Sequence, residues 1–416
     1  MEEKSLISIA QTYLNRFPVF PKQLDHVVHE SMEICVVIPS YNEPAIIPSL
    51  TSIKNCDLPE NFFVEVVVVV NHPKGEDQSI VDQNKKTLND VKEFNNSLDR
   101  ESFYFHAINA FDLPPKHAGV GWARKIGMDE ALRRFKEINK NGIICCFDAD
   151  ATISKNYLKE VFHAFKNNQY NGASIYFEHP LNGTEFDNEI YEAILSYELH
   201  LRYYKNALKY CGVPYAYHTV GSSMAVSVSA YAKQGGMNRR KAGEDFYFIN
   251  KIIALGNYGE INTTNVIPSP RTSDRVPFGT GRAIQEKIMG NRDLDITYSF
   301  EIFRVLKKWF DLVINKQEHN HDQFPELVKL FLNKDKWDDT YKMIQSNSAS
   351  SNTFKDRFFK TFDAFWVLKF VHFVKEHYLP DTSLLKNTNE LLKELSLNPK
   401  DNLNELLSSL RVYDRQ

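Results

Sequence analysis

Two textures alternate along the first two thirds of the chain. Short runs are apolar almost throughout: "EICVVIPS" (33–40), "FFVEVVVVVN" (62–71), "SFYFHAIN" (102–109) and "GIICCFDAD" (142–150). Between them, "NKKTLNDVKEFNNSL" (84–98) and "ARKIGMDEALRRFKEI" (123–138) repeat their apolar residues at helical spacing. A continuous apolar run suits a strand covered on both faces, and helical spacing suits an element that buries one face. Their alternation predicts an α/β domain, a mostly parallel sheet flanked by helices. Ligands of such open sheets bind at the carboxyl ends of the strands. "PSYNE", "NHPKGED" and "DAD" all fall there.

The same pattern divides the chain in three. Residues 1–30 read as a short helical arm, broken by the prolines of "RFPVFPKQ". Residues 31–285 carry the alternation. From 286 to 416 glycine and valine thin out, and "DITYSFEIFRVLKKWFDLVI" and "KDRFFKTFDAFWVLKFVHFVKEHYL" predict a C-terminal α-helical appendage. "QSNSASSNT" (345–353) reads as a polar loop within it. "FDNEIYEAILSYELHLRYYKNAL" (186–208) predicts a further helix whose tyrosines pack in the core.

Composition narrows the partners. The chain has 416 residues, 43% hydrophobic and 25% charged, as an ordinary globular protein does. Its formal net charge of −3 gives no global attraction to nucleic acid. No run reaches the roughly 18 apolar residues of a transmembrane segment. The acidic, amphipathic start "MEEKSLISIAQTYL" makes a poor signal peptide, and five scattered cysteines make no disulfide framework. These features predict a cytoplasmic protein and leave peripheral membrane contact open. "EHNHDQ" (318–323) lacks a Cys or Glu at ligand spacing and reads as a solvated loop.

The candidate chemistry starts at "DAD". Asp148 and Asp150 follow a buried strand, and in extended backbone residues i and i+2 point to one side. Two like charges held together repel unless a cation lies between them, and a hard divalent ion suits oxygen ligands. In "VVIPSYNEP", Pro39 ends the strand, and Tyr41, Asn42 and Glu43 form a turn. An aromatic ring and a carboxylate there could hold a base and a ribose, or Asn42 and Glu43 could cap a helix. "KHAGVGWARKIG" offers Gly119, Gly121 and Gly127 at a helix entry, with Lys116, Arg124 and Lys125 nearby. That set suits a diphosphate, or glycine turns beside a solvated basic face. Glu244 and Asp245 open a helix in "GEDFYF", either as acids favoured by the macrodipole or with one as a general base.

Taken in order, "VVIPSYNE", "GVGWARKIG", "FDAD", "GSSMAVS…GGM" and "GEDFYF" resemble glycosyltransferase family 2, over about residues 33–285. The resemblance implies a GT-A (Rossmann-like) fold and transfer of a sugar from a nucleotide-diphosphate sugar to a glycan, lipid or small-molecule acceptor hydroxyl. It further implies that Asp150, assisted by Asp148, binds Mn²⁺ or Mg²⁺. Pro39, Tyr41 and Glu43 would lie on the nucleoside side, with Gly121 and Arg124 in the nucleotide or donor-sugar region. Asp245 would be the base of an inverting transfer, with Glu244 beside it. Trp122 and His218 also fall near the expected site.

Two departures stand out. Asn71 occupies the place where the family carries an aspartate after its second strand. Where relatives offer a metal-binding histidine, this chain has "SPRTSDRVPFGTGR". There Asp274 could be a third metal ligand and Arg271, Arg275 and Arg282 could clamp phosphate, or the stretch could be a capped turn with a local ion pair. A retaining transferase, a sugar-phosphate nucleotidyltransferase and a non-catalytic glycan- or nucleotide-binding protein remain as alternatives. They rank in that order, with the nucleotidyltransferase well below the leading reading because "PSYNEPAII" stands where those enzymes carry a glycine-rich basic loop.

Overall fold

A computed structural model describes residues 5–17, 20–99, 101–275 and 278–416. Residues 1–4 and 18–19 of the expected arm, including Pro18, and residues 276–277 lie outside the described residues. The chain divides into two compact units. The first comprises residues 1–186, 219–285 and 414–416, and the second 187–218 and 286–413.

The first unit is built on one eight-stranded sheet. Its strands are β1 (Met32–Ser40), β2 (Phe63–Pro73), β3 (Phe103–Leu113), β4 (Ile143–Cys146), β5 (Thr152–Ile153), β6 (Gly172–Phe177), β7 (Met224–Ser227) and β8 (Tyr258–Ile267). They lie in the order β3-β2-β1-β4-β7-β6-β8-β5. β1 pairs in parallel with β2 and β4, β2 with β3, and β6 with β8. β7 runs antiparallel to both β4 and β6, and β5 antiparallel to β8. This is the mostly parallel α/β sheet that the alternation of textures leads to.

Helices of this unit are α1 (Leu6–Arg16), α2 (Ile47–Lys54), α3 (Gln78–Asn96), α4 (Val120–Glu137), α5 (Tyr157–Asn168), α7 (Val228–Lys233) and α8 (Glu244–Ile253). The helix between α5 and α7, α6 (Asn188–Tyr210), belongs to the second unit. "SSMAVSVSA" is a strand only as far as Ser227, because the Ser227 hydroxyl then accepts from the Ala230 N–H and caps α7.

Val64 and Val66–Val70 of β2 are sealed from solvent, which explains why the run reads as continuous valine. The one charge within it, Glu65, is equally buried and is held by Arg134 of α4 and by His106 of β3. Burial pushes the Glu65 carboxyl up, but the bonds from His106 and Arg134 outweigh it and hold the group below its ordinary value. Other polar residues of α4 grip the arm. Asp129 accepts hydrogen bonds from the Tyr13 and Tyr231 hydroxyls at 2.6 Å each. Glu130 accepts from the backbone N–H groups of Gln23 and Leu24 at 3.1 Å, and Arg134 donates to the His26 carbonyl at 3.0 Å.

The second unit is helical with a short two-stranded ribbon. Trp309 lies 5.0 Å from Trp366 and 5.1 Å from Phe362, ring centre to ring centre, in an aromatic core. The phenylalanines of the appendage serve packing, as does the inward face of α6. The polar loop expected at 345–353 is shorter, since helices run to Ser346 and resume at Ser351. His319 stacks on Tyr341, and His321 is buried with its Nε2 2.6 Å from the Leu332 carbonyl oxygen. Among the described residues no helix is long and apolar enough to cross a membrane.

Candidate functional site

Strand β4 stops at Cys146, and the Ala151 N–H closes a turn on the Asp148 carbonyl at 3.2 Å. Asp148 and Asp150 therefore sit on a turn and not on extended backbone, unlike the i, i+2 geometry expected of them. Helix α2 holds that turn from beneath. The Ser49 hydroxyl lies 2.7 Å from the carbonyl oxygen of Ala149 and 2.6 Å from that of Ala151.

The two aspartates have different partners. Asp148 accepts from Nη2 of Arg124, whose Nη1 donates to Glu244 at the start of α8. Arg124 is almost wholly buried. Burial weakens its charged form, yet the carboxylates of Asp148 and Glu244 more than restore it. Asp150 pairs instead with Arg271, Nε to Oδ2 at 2.7 Å, and Arg271 forks across Glu43, donating from Nη1 at 3.1 Å and from Nη2. Burial raises the Asp150 carboxyl above its ordinary value, Arg271 opposes the rise, and Asp148 and Glu43 add to it.

Asp245 adjoins the first of these chains. Burial, then the neighbouring Glu244 carboxylate, push its carboxyl up to about 7. Arg124 and the Phe246 N–H, which donates to Asp245 Oδ1 at 2.7 Å, pull the other way. An aspartate that gains its proton near neutrality is suited to general-base work.

The turn after β1 forms a third region. Pro39 lies one residue inside β1, paired with Val69. Asn42 adopts a left-handed φ of 48°, and its N–H donates to Asn84 Oδ1 at 2.8 Å. Asn84 also donates to the Asn71 carbonyl, so buried Asn71 anchors the turn through its backbone. The Tyr41 hydroxyl donates to Glu76 at 2.8 Å, and Arg275 donates to the Tyr41 carbonyl at 2.9 Å. Glu76, which pattern alone did not single out, thereby joins the candidate site. It belongs to the acidic end of "NHPKGED", and its place in the loop after β2 was the available signal.

The glycines of "GVGWARKIG" all lie in close packing. A Cβ on Gly121 would lie 2.3 Å from the Arg240 carbonyl oxygen, so the start of α4 presses on the loop before α8. Lys125 points away from the site, to Tyr13 and Asp129. Arg124 is the one cation of that motif within the cluster, and Gly221 makes room for it. A Cβ there would stand 2.5 Å from Arg124 Nη1. Trp122 is buried beside Phe20 and His117. His218 lies in the second unit.

A cation fits this donor set in part. Among the described residues Glu43, Asp148, Asp150 and Glu244 pair with Arg124, Arg271 and Arg275, and their carboxylate oxygens are the ligand type that a hard divalent ion takes. Asp274 does not complete a ligand set with Asp148 and Asp150. Among the described residues no three His, Cys, Asp or Glu side chains converge at ligand spacing. Asp274 lies instead near Tyr41, whose hydroxyl it helps hold in the protonated form, behind burial and the Glu76 bond.

Comparison with known proteins adds one firm match. Residues 35–230 match the family model for glycosyl transferase family 2. No curated protein matches the chain. Among solved structures it is similar to S. aureus TarS 1–349 in complex with UDP, at 15% identity over 83% of this chain and 91% of that one, with a TM-score of 0.38. The UDP-GlcNAc complex of the same protein gives 14% identity, the same coverage and a TM-score of 0.40. Superposition that loose transfers no residue from one protein to the other.

Proposed function

We propose that this enzyme, whose residues 35–230 match the family model for glycosyl transferase family 2, moves a sugar from a nucleotide-diphosphate sugar to an acceptor hydroxyl with inversion, using a divalent cation. The observation that carries the reading is the Arg124-centred ion chain that joins Glu244, the neighbour of Asp245, to Asp148; burial and Glu244 also push the Asp245 carboxyl up to about 7. In this reading Asp245 takes the proton of the acceptor hydroxyl as that oxygen attacks the anomeric carbon from the face opposite the leaving group. Arg124 fixes Glu244 and Asp148 relative to each other, so base and donor site keep one geometry. Tyr41, with Glu76 behind its hydroxyl, lines the nucleoside side, and Arg271, held on Glu43 beside Asp150, is the arginine within reach of the diphosphate. Asp148 and Asp150 hold Mn²⁺ or Mg²⁺, which when bound neutralises the charge that gathers on the leaving diphosphate.

The test is a thermal-shift screen of uridine-, guanosine- and thymidine-diphosphate sugars with and without Mn²⁺. One donor should stabilise the protein, and chelator should abolish the effect. Anomeric NMR of the product should show inversion, and retention would remove Asp245 from the role of base. Asp245→Asn should keep the donor-induced shift while losing 10²-fold or more in rate, on the order of general-base contributions. A variant that keeps full activity sinks the mechanism.

A further inference from the structure

The guanidinium of Arg271 stands where the proposed function needs a cation. It meets the Glu43 carboxylate with both terminal nitrogens and reaches Asp150 with the third. The two contacts differ in quality. The Glu43 pair is a fork, the geometry in which arginine binds a carboxylate best. The Asp150 contact is close at 2.7 Å, yet the Arg271 N–H is out of line for a directed hydrogen bond. Glu43 is fully buried and has a second cation in reach, since Arg275 lies 3.6 Å away and also donates to the Tyr41 carbonyl. Arg271 can therefore leave without stranding Glu43 as an unpaired buried charge, the costly outcome for such a group.

We propose that Arg271 is an internal counter-ion that satisfies Asp150 and Glu43 in the cation's stead while donor is absent, and passes to the donor's diphosphate when donor and cation arrive together. The inference rests on the metal-dependent reading above. Its consequence is thermodynamic. A divalent ion alone must compete with a tethered guanidinium, and a diphosphate alone must draw that guanidinium off two carboxylates. Together each relieves the other's competitor, so the two ligands bind with positive, reciprocal coupling. Phosphate oxygens offer Arg271 the same forked acceptor that Glu43 does.

Manganese binding to the full chain, followed by the electron paramagnetic resonance of the free ion, tests this without turnover. Wild type, Arg271→Gln and Arg271→Lys are titrated alone and with uridine, guanosine or thymidine diphosphate. Wild type should bind Mn²⁺ at least ten-fold more tightly with one of these diphosphates than without. Arg271→Gln should bind Mn²⁺ alone at least ten-fold more tightly than wild type alone, with most of the coupling lost. It should also melt higher when Mn²⁺ is added, as wild type without nucleotide should not. Arg271→Lys keeps the charge but cannot fork, so it should show a several-fold gain alone, and it carries the test if the glutamine variant does not fold. Equal affinity of variants and wild type for Mn²⁺ alone, with coupling intact in wild type, would overturn the counter-ion and leave the metal-dependent reading standing. Absence of Mn²⁺ binding by every form with every diphosphate would overturn both.

Discussion

Replacing Glu244 by glutamine should make Asp245 a stronger acid and move the pH profile of the enzyme downward. Asp245 is held up to about 7 by burial and then by Glu244, against Arg124 and the Phe246 N–H. At an effective dielectric of about 20, a unit charge some 6 Å away is worth about 2.8 kcal/mol. That corresponds to about two pK units. Arg124 already neutralises part of the Glu244 charge through its Nη1 bond, so about half of that figure, roughly one unit, is the expected change. The sign follows from the chemistry. A base works ionised, so activity falls as pH drops through its pKa, and lowering the pKa carries the acid limb to lower pH. Loss of Glu244 also frees Arg124 to act on Asp245, which pushes the same way. The assay is kcat at saturating donor from pH 5 to 9, in overlapping buffers of fixed ionic strength. Wild type should lose half its rate near neutrality, and Glu244→Gln near one unit lower, whatever its absolute rate. A mutant limb that coincides with wild type, or shifts to higher pH, would refute the argument that the Glu244 charge sets the Asp245 proton affinity.

Two further expectations concern packing. Gly221→Ala would put a methyl 2.5 Å from Arg124 Nη1; kcat should fall ten-fold or more while circular dichroism and melting stay near wild type, and unchanged kcat would show that Arg124 has room to yield. Glu65→Gln leaves Arg134 buried without its counter-charge, so urea denaturation should report a loss of about 3–5 kcal/mol.

Much of this architecture is legible in the text. β1, β2 and β4 are visible because burial on both faces demands apolar residues at consecutive positions. The acids that open α8 are visible because the glycine before them and the apolar run after them mark a helix start. What surrounds those acids is another matter. The partner of Asp150 lies 121 positions downstream in Arg271, and that of Glu244 lies 120 positions upstream in Arg124. Local pattern carries no information about such pairs. "DAD" invited a strand geometry because strand residues precede it, while the chain turns at Asp148 under the grip of Ser49. The glycines of "GVGWARKIG" look the same in a string whether they meet a phosphate or, as with Gly121, a carbonyl of the next loop. Glu65 is the clearest miss. A single acid inside a valine run announces a buried ion pair, and the run's apolar average hides it.

The way α4 holds the arm bears on how small a working version of this protein can be. Excising the family-matched stretch at residue 35 would remove Gln23 and Leu24, which donate to Glu130, Tyr13, which donates to Asp129, and the His26 carbonyl that accepts from Arg134. Stopping at residue 230 would remove Glu244 and leave Arg124 with half its anchorage. The segment by which the protein is recognised is thus shorter than the body that must fold for the chemistry to occur. Fragments intended for catalysis or crystallisation have to keep the leading helix and continue through the loop that bears Arg271 and Arg275.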